Sequence, residues 1–377
     1  MADANVALTE GVNAQFINPA GLAALEGAGW GASLLIGRAV SRFDRASSAG
    51  GDSGTYRAET SYPLVPSMTI GYGTGRWAVG LSLDVPYGTG IEWPSHAWET
   101  TLGSYRLDIA KEASASVSRL GPAIAWRLDN GLALGARVYT QRVRALERND
   151  LYRVEGDGTS AGYQLGMRYQ AERFVVGSAY SSRTDTELEG KLSDIHPVVA
   201  PALTAGDVSV HILYPDRWQT GIAFRLTPTL WWEFDLDWIG WSYVDEISVE
   251  QADGRLANAG KNARRNDDTL SYRAGLKWRM RPALVLHAGL GYDPYPLAER
   301  DVSPTVSALR KTRIGFGGVY APSRDIEIGF AYQFIYGHSR TVTATDQDNL
   351  GALDTHLYEG TYRTRTHAIG MTVTGTF

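Results

Sequence analysis

Chemistry at a protein site needs a nucleophile, a base, a metal cluster or a cradle for an anion, so those residue types come first. The chain has no cysteine, which removes thiolate nucleophiles, thiolate metal ligands and disulfides together. Its seven histidines are His96, His196, His211, His287, His338, His356 and His367. None stands in a Gly-x-Ser-x-Gly elbow, a His-Glu-x-x-His helix or another spacing that would position a base. Asp346, Asp348 and Asn349 are too irregular for a calcium loop, which wants fixed ligand spacing with glycine at its sixth position. No metal and no cofactor is expected. The densest acidic signal is Glu233, Asp235 and Asp237. Alternate residues of a strand share a face, so these carboxylates form one row. The row could do acid–base work, but the expectation is pairing with Arg225, Arg273, Lys277 and Arg313 on neighbouring strands. An enzyme is not expected.

Composition narrows the class further. Among 377 residues, 36 Lys plus Arg stand against 41 Asp plus Glu, a net charge of −5. That balance offers no basic face for nucleic acid. No apolar run approaches the ~18 residues of a membrane-spanning helix. The chain is rich in Gly (42), Tyr (20) and Trp (11) but holds only 9 Phe. Rings with a polar tip suit a membrane–water boundary.

The elements that must carry these residues have a period of two. In 229–238, Leu230, Trp232, Phe234, Leu236 and Trp238 oppose Trp231, Glu233, Asp235 and Asp237. In 325–334, Ile326, Ile328, Phe330, Tyr332 and Phe334 oppose Asp325, Glu327, Gly329, Ala331 and Gln333. Similar alternation gives strands at 29–43, 65–74, 76–87, 113–127, 131–147, 152–170, 172–188, 208–226, 229–250, 268–280, 283–292, 310–321, 324–341 and 359–377. A soluble sandwich alternates too, but its strands are usually about 5–6 residues long. These are long enough for the ~9–11 residues that cross a bilayer. Their second face is Gly, Ala and single charges, which suits a lumen. Short turns alternate with long polar connections, although 147–151 is short where a long one is expected. The fold class expected is all-β, a 14-stranded antiparallel transmembrane barrel of an outer membrane with both termini periplasmic.

The ends add detail. Phe377 closes an alternating last strand, as the signal read by the barrel-assembly machinery does. Met1-Ala2-Asp3-Ala4-Asn5 is unlike a secretion signal, so the expectation is a mature or truncated chain with Met1 as an added start. Residues 1–27 do not alternate and could enter the lumen as a plug, with 28–377 forming the barrel. They include Asn18-Pro19-Ala20-Gly21, where proline supplies no N–H.

Asn18-Pro19-Ala20-Gly21 ahead of the first strand resembles the hallmark of the FadL family, outer-membrane channels for long-chain fatty acids and other hydrophobic compounds. Trp77-Ala78-Val79-Gly80 through Val85-Pro86-Tyr87-Gly88 is similar to that family's third strand. Leu213-Tyr214-Pro215-Asp216-Arg217-Trp218, the Trp-rich strand ending in Trp241-Ser242, and Gly291-Tyr292-Asp293-Pro294-Tyr295-Pro296 follow in order, covering about 18–377. The resemblance implies a fourteen-stranded barrel with an N-terminal hatch, and passive uptake of fatty acids or hydrocarbons. Asn18, Pro19 and Ala20 would belong to the hatch. Family members carry a longer stretch before this motif, so either the given chain lacks those residues or this member has a reduced hatch.

Three further expectations concern the route of cargo. A hydrophobic molecule gains about 0.8 kcal/mol per CH₂ on leaving water for an apolar site. Trp93, Trp98, Ile195, Val198, Val199, Ala200, Leu203 and Ile212 lie in the connections best placed to form such an outer groove, unless they pack as ordinary loops. Proline is confined to sheet edges and bulges. Pro86, Tyr87 and Gly88 should therefore kink the strand and open the wall sideways, unless Pro86 merely ends it. In the resembling family, cargo is thought to leave sideways at that kink. Finally, 261–265 should be a solvated outer face with lipopolysaccharide phosphates as candidate partner. Expected partners are thus a hydrophobic ligand, outer-membrane lipid and lipopolysaccharide, on a monomer. The competing reading is a diffusion porin, which generally needs ~16 or more strands and an open lumen.

Overall fold

The structure is a computed structural model that describes all residues except 47–53, 202, 245, 252–260, 264–265, 298–301, 303, 306–308 and 344–357. Asp346, Asp348, Asn349, His356, Arg264 and Arg265 lie outside the described residues. The first six barrel strands are β1 Glu26–Arg45, β2 Leu64–Thr74, β3 Trp77–Glu92, β4 Glu112–Arg127, β5 Leu132–Arg148 and β6 Arg153–Gln170. Three interrupted strands follow. β7 is Phe174–Ser181 continued by Thr184–Ser193, β8 is Gly206–Tyr214 continued by Arg217–Thr227, and β9 is Leu230–Ile239 continued by Glu246–Gln251. The last five are β10 Thr269–Arg281, β11 Leu284–Asp293, β12 Lys311–Tyr320, β13 Ile326–Val342 and β14 Gly360–Thr376. Neighbours pair antiparallel, and β1 pairs with β14 from Gly29↔Thr376 to Arg45↔Gly360, so the described strands close a barrel of fourteen.

Two expectations about strand ends are corrected. The strands expected at 172–188, 208–226 and 229–250 are each broken part-way. Pro215, which has no N–H to give, lies in one break, and the Trp241–Tyr243 turn in another. The strand expected to stop at residue 87 instead runs on to Glu92.

Side chains alternate as the period predicts. Ile328, Phe330, Ile369 and Met371 are exposed on the outer face, an apolar surface of the kind a bilayer covers. Leu230, Trp232 and Phe234 are half-buried on the same face, while Glu233, Asp235 and Asp237 are at most 1% exposed inside.

The first 25 residues pack against residues of β1, β3, β5, β6 and β11. Ala4, Val6, Ala7, Ala14 and Leu22 are fully buried, and the segment makes short 3₁₀ turns at Val12–Phe16 and Pro19–Ala24. Glycines in the wall leave room for it. A Cβ on Gly166 would stand 2.3 Å from Oδ1 of Asn18, and one on Gly135 2.3 Å from the carbonyl carbon of Pro19. On the opposite wall a Cβ on Gly289 would stand 2.2 Å from the carbonyl oxygen of Met1. The glycine-rich inner face thus follows the surface of the chain's own N-terminus.

Candidate functional site

The site begins at β3. Its lower half pairs with β2 from Gly73↔Ala78 to Met68↔Leu83, and there the pairing stops. Above that level the strand that β3 pairs with, among the described residues, is β4, from Tyr87↔Val117 to Glu92↔Glu112. The change coincides with a bulge. Asp84 opposes Arg119 and Tyr87 opposes Val117, so β3 carries one residue more than β4 at Val85 and Pro86. Proline fits because its missing N–H has no ladder partner to lose.

The opposite edge is proline-lined too. Gly37 donates to the carbonyl of Pro63 and Ala39 to that of Ser61, so the odd-numbered residues here turn their backbone groups toward β1. Pro66, an even-numbered residue opposite Leu34, turns its nitrogen toward β3. At the outer end the N–H of Glu59 donates to the carbonyl of Glu92 at 2.7 Å, which closes the frame. The result is a gap in the hydrogen-bonded wall, with residues 60–67 on one side and 84–91 on the other.

The lumen beside the gap is layered. Outermost is a cavity of about 1130 Å³, bordered by the small residues Ala115, Ala145, Gly156 and Gly190 on successive strands. Next comes an apolar layer of buried Val117, Val143 and Leu188, with Tyr87 and Tyr214 packed against it. The two tyrosine rings stack with centroids 5.6 Å apart. Below lies a polar belt. Nε of Arg119 donates to Gln141, whose amide donates to Thr184, and Arg137 donates to Asp84 at 2.6 Å. Gln164 on β6 donates to the carbonyl of Ile17 in the N-terminal segment.

A sequence profile of the family described as "Outer membrane protein transport protein (OMPP1/FadL/TodX)" matches residues 1–377. The chain belongs to this family. Solved structures agree on the fold of the FadL-type barrel. A Pseudomonas aeruginosa FadL homologue superposes with a TM-score of 0.82 at 15% identity, covering 99% of this chain and 96% of that one. The Pseudomonas putida toluene transporter TodX gives 0.74 at 16%, covering 99% and 95%. The Ralstonia pickettii toluene transporter TbuX gives 0.70 at 17%, covering 97% and 94%. No curated protein matches the sequence. The family consists of outer-membrane transport channels rather than enzymes.

In this FadL-type barrel the expected site residues separate into distinct places. Asn18 is buried, and its amide donates to the carbonyls of Val6 and, across the wall, Met167. Pro19 and Ala20 are buried beside it against β5 and β6. Pro86, Tyr87 and Gly88 sit at the bulge. Trp93 and Trp98 do not line an open groove. They are buried at 3% and 0% exposure in a packed cap with Phe43 and Tyr362, because four large rings bury more apolar area against each other than along a rim. Val198 and Val199 pack on the edge of that cap. Ile195 and Leu203 pack on a separate cluster around Leu192 and Val208.

The acidic row also departs from expectation. Asp237 does pair with Arg273, and with Arg217 at 2.7 Å. Glu233 and Asp235 instead hold the N-terminal segment. Oε1 of Glu233 accepts the N–H groups of Ala7 and Leu8, and Oδ2 of Asp235 accepts those of Asn5 and Val6. Backbone N–H groups buried in a lumen need acceptors, and these carboxylates supply them. Arg313 pairs with Asp293 and with Asp3 of the segment. Arg225 donates to the carbonyl of Pro228.

Proposed function

We propose that this FadL-type barrel carries hydrophobic small molecules passively from the outside into the outer membrane, releasing them sideways between β2 and β3. The observation that carries the reading is the loss of pairing above Met68↔Leu83 together with the bulge at Val85 and Pro86. An apolar cargo gains from this route because it passes from a cavity to lipid without crossing water. Residues 1–27 serve as the hatch that blocks a straight aqueous path, which argues against a general porin. Support comes from the four backbone N–H groups held by Glu233 and Asp235. The packed aromatic cap, with Trp93, Trp98, Val198 and Val199, covers the outer mouth, and capture of cargo takes place along its edge with Ile195 and Leu203. Both termini lie at the periplasmic end, Phe377 serves assembly into the membrane, and the barrel acts as a monomer beside lipopolysaccharide.

The experiment is uptake of labelled dodecanoate and labelled toluene by cells carrying the wild type or the Pro86→Val, Gly88→Val double variant. Loss of uptake with an intact heat-modifiable barrel is expected. Full-rate uptake of both through the variant would sink sideways release.

A further inference from the structure

Like charge faces like charge on the outside of β1. Arg42 stands opposite Arg363 of β14 on one side and opposite Arg57, in the short strand Thr55–Arg57, on the other. Four residues lower Arg38 stands opposite His367, and between them Val40 stands opposite Arg365. All five arginines are exposed. They share the outer face with Ile36 and Ile369, from which the β1 and β14 arginines lie an even number of residues away. Like charges directly opposite one another across strands are destabilising.

Little within the chain offsets them. Asp44 pairs with Arg363 and also accepts a hydrogen bond from Thr55 at 2.8 Å. Glu59, just past Arg57, lines a separate cavity with Lys111 and Arg148. Among the described residues no carboxylate pairs with Arg38, Arg42, Arg57 or Arg365. The patch is local, since the chain carries a net charge of −5. On β6, β7 and β8 the outer face shows exposed Asp157, Glu187, Glu189 and Asp207 instead.

Toward the short-turn end the same face becomes apolar, with Leu34, Ile36, Ile369 and Met371 exposed. Polar-tipped rings mark the boundary. The hydroxyl of Tyr332 lies 2.7 Å from Nδ1 of His367, and the Arg365 guanidinium carbon lies 5.7 Å from the Tyr336 ring centroid. At about 3.3 Å per residue and about 4.8 Å between strands, the arginines cover roughly 13 by 10 Å. Guanidinium groups take phosphate oxygens through paired hydrogen bonds. A cationic patch of that size directly above an apolar band fits a lipid that carries more than one phosphate.

We propose that β14, β1 and residues 55–57 form a docking surface for lipid A, the bisphosphorylated, acylated glycolipid anchor of lipopolysaccharide. Its phosphates sit among Arg38, Arg42, Arg57, Arg363 and Arg365, and its acyl chains run along Leu34, Ile36, Ile369 and Met371. The proposal rests on the barrel standing in the outer membrane with its long connections outside, and it is independent of the cargo.

The test measures binding to the full-length protein, purified in an uncharged detergent, by native mass spectrometry. The probes are lipid A, dephosphorylated lipid A, phosphatidylglycerol and inorganic phosphate. The wild type should bind lipid A about tenfold or more tightly than its dephosphorylated form, as several charged hydrogen bonds imply. A variant with Arg38, Arg42, Arg57 and Arg365 all replaced by Gln should lose that preference by weakening lipid A alone. Replacing Arg76, Arg225, Arg279 and Arg281 by Gln at the short-turn end should leave it intact. Absence of the preference in the wild type overturns the proposal without needing a variant to fold. An equal loss in the second variant overturns it as well, since bulk charge would then suffice. Phosphatidylglycerol binding as tightly as lipid A overturns the choice of a bisphosphorylated lipid, and inorganic phosphate doing so overturns a lipid occupant. Any of these with dodecanoate uptake unchanged removes this surface and leaves the channel reading standing.

Discussion

Asp84 and Tyr87 both face the lumen, although three positions separate them on β3. In a regular strand residues three apart face opposite sides. The extra residue at Val85 and Pro86 restores the parity, and β3 loses its β2 partner above that point. The bulge keeps Asp84 on Arg137 and Tyr87 on Tyr214 at the level where pairing with β2 ends.

Wall glycines that meet the N-terminal segment should resist substitution, while those at the gap should not. Gly166→Val would drive a Cβ into Asn18, and overpacking of that kind costs about 1–3 kcal/mol. Gly88 has nothing within 4 Å of its would-be Cβ. Gly166→Val should expose residues 1–25 to protease or lower the temperature of heat modification, and Gly88→Ala should do neither. Equal tolerance at both sites would contradict the described seating of the segment.

Glu233→Leu should loosen the N-terminus. Removing the carboxylate leaves the buried N–H groups of Ala7 and Leu8 without an acceptor, at about 1–3 kcal/mol for each unsatisfied group. Amide exchange at residues 5–8 should quicken markedly, with Glu233→Gln intermediate because it keeps one oxygen. Unchanged exchange in Glu233→Leu would refute the clasp.

The outer cap should respond to acid through Asp150, in the turn after β5. Burial works against its charged form, but the Lys111 ammonium at 2.6 Å and the Asp108 N–H at 2.8 Å outweigh it and hold its carboxyl below the usual range. A lowered folded value means that its contribution is complete above the ordinary carboxylate pKa of about 3.9 and fades as pH falls through the lower folded value. Protection of the Asp108 amide from exchange, measured against its intrinsic rate at each pH, should be high at neutral pH and fall in acid. In Asp150→Ala protection should be low throughout, and a well-protected amide there would count against the pin.

Much of this was readable along the chain. Leu230 to Trp238 and Ile326 to Phe334 alternate so regularly that the lipid and lumenal faces follow from the backbone period alone. Pro86 likewise marks a bulge by its missing N–H. Pro66 escaped notice because only the β1–β2 register shows which way its nitrogen points. The role of Glu233 was hidden by distance, since its partners Ala7 and Leu8 lie 226 and 225 residues away and offer backbone, not charge. Trp93 and Trp98 mark an apolar region equally well whether it is an open groove or a closed cap. Their packing with Phe43 and Tyr362 depends on loops brought together by barrel closure.

Sideways release is tested most directly by bridging the gap. Leu64 and Gly88 are exposed on its two sides, and the chain has no other cysteine to interfere. Leu64→Cys and Gly88→Cys can therefore be joined by a short thiosulfonate cross-linker that a reductant later removes. Uptake of labelled dodecanoate should fall to background once the bridge is in place and recover after reduction, while either single variant treated in the same way keeps full uptake. Undiminished uptake through a fully bridged barrel would contradict release between β2 and β3.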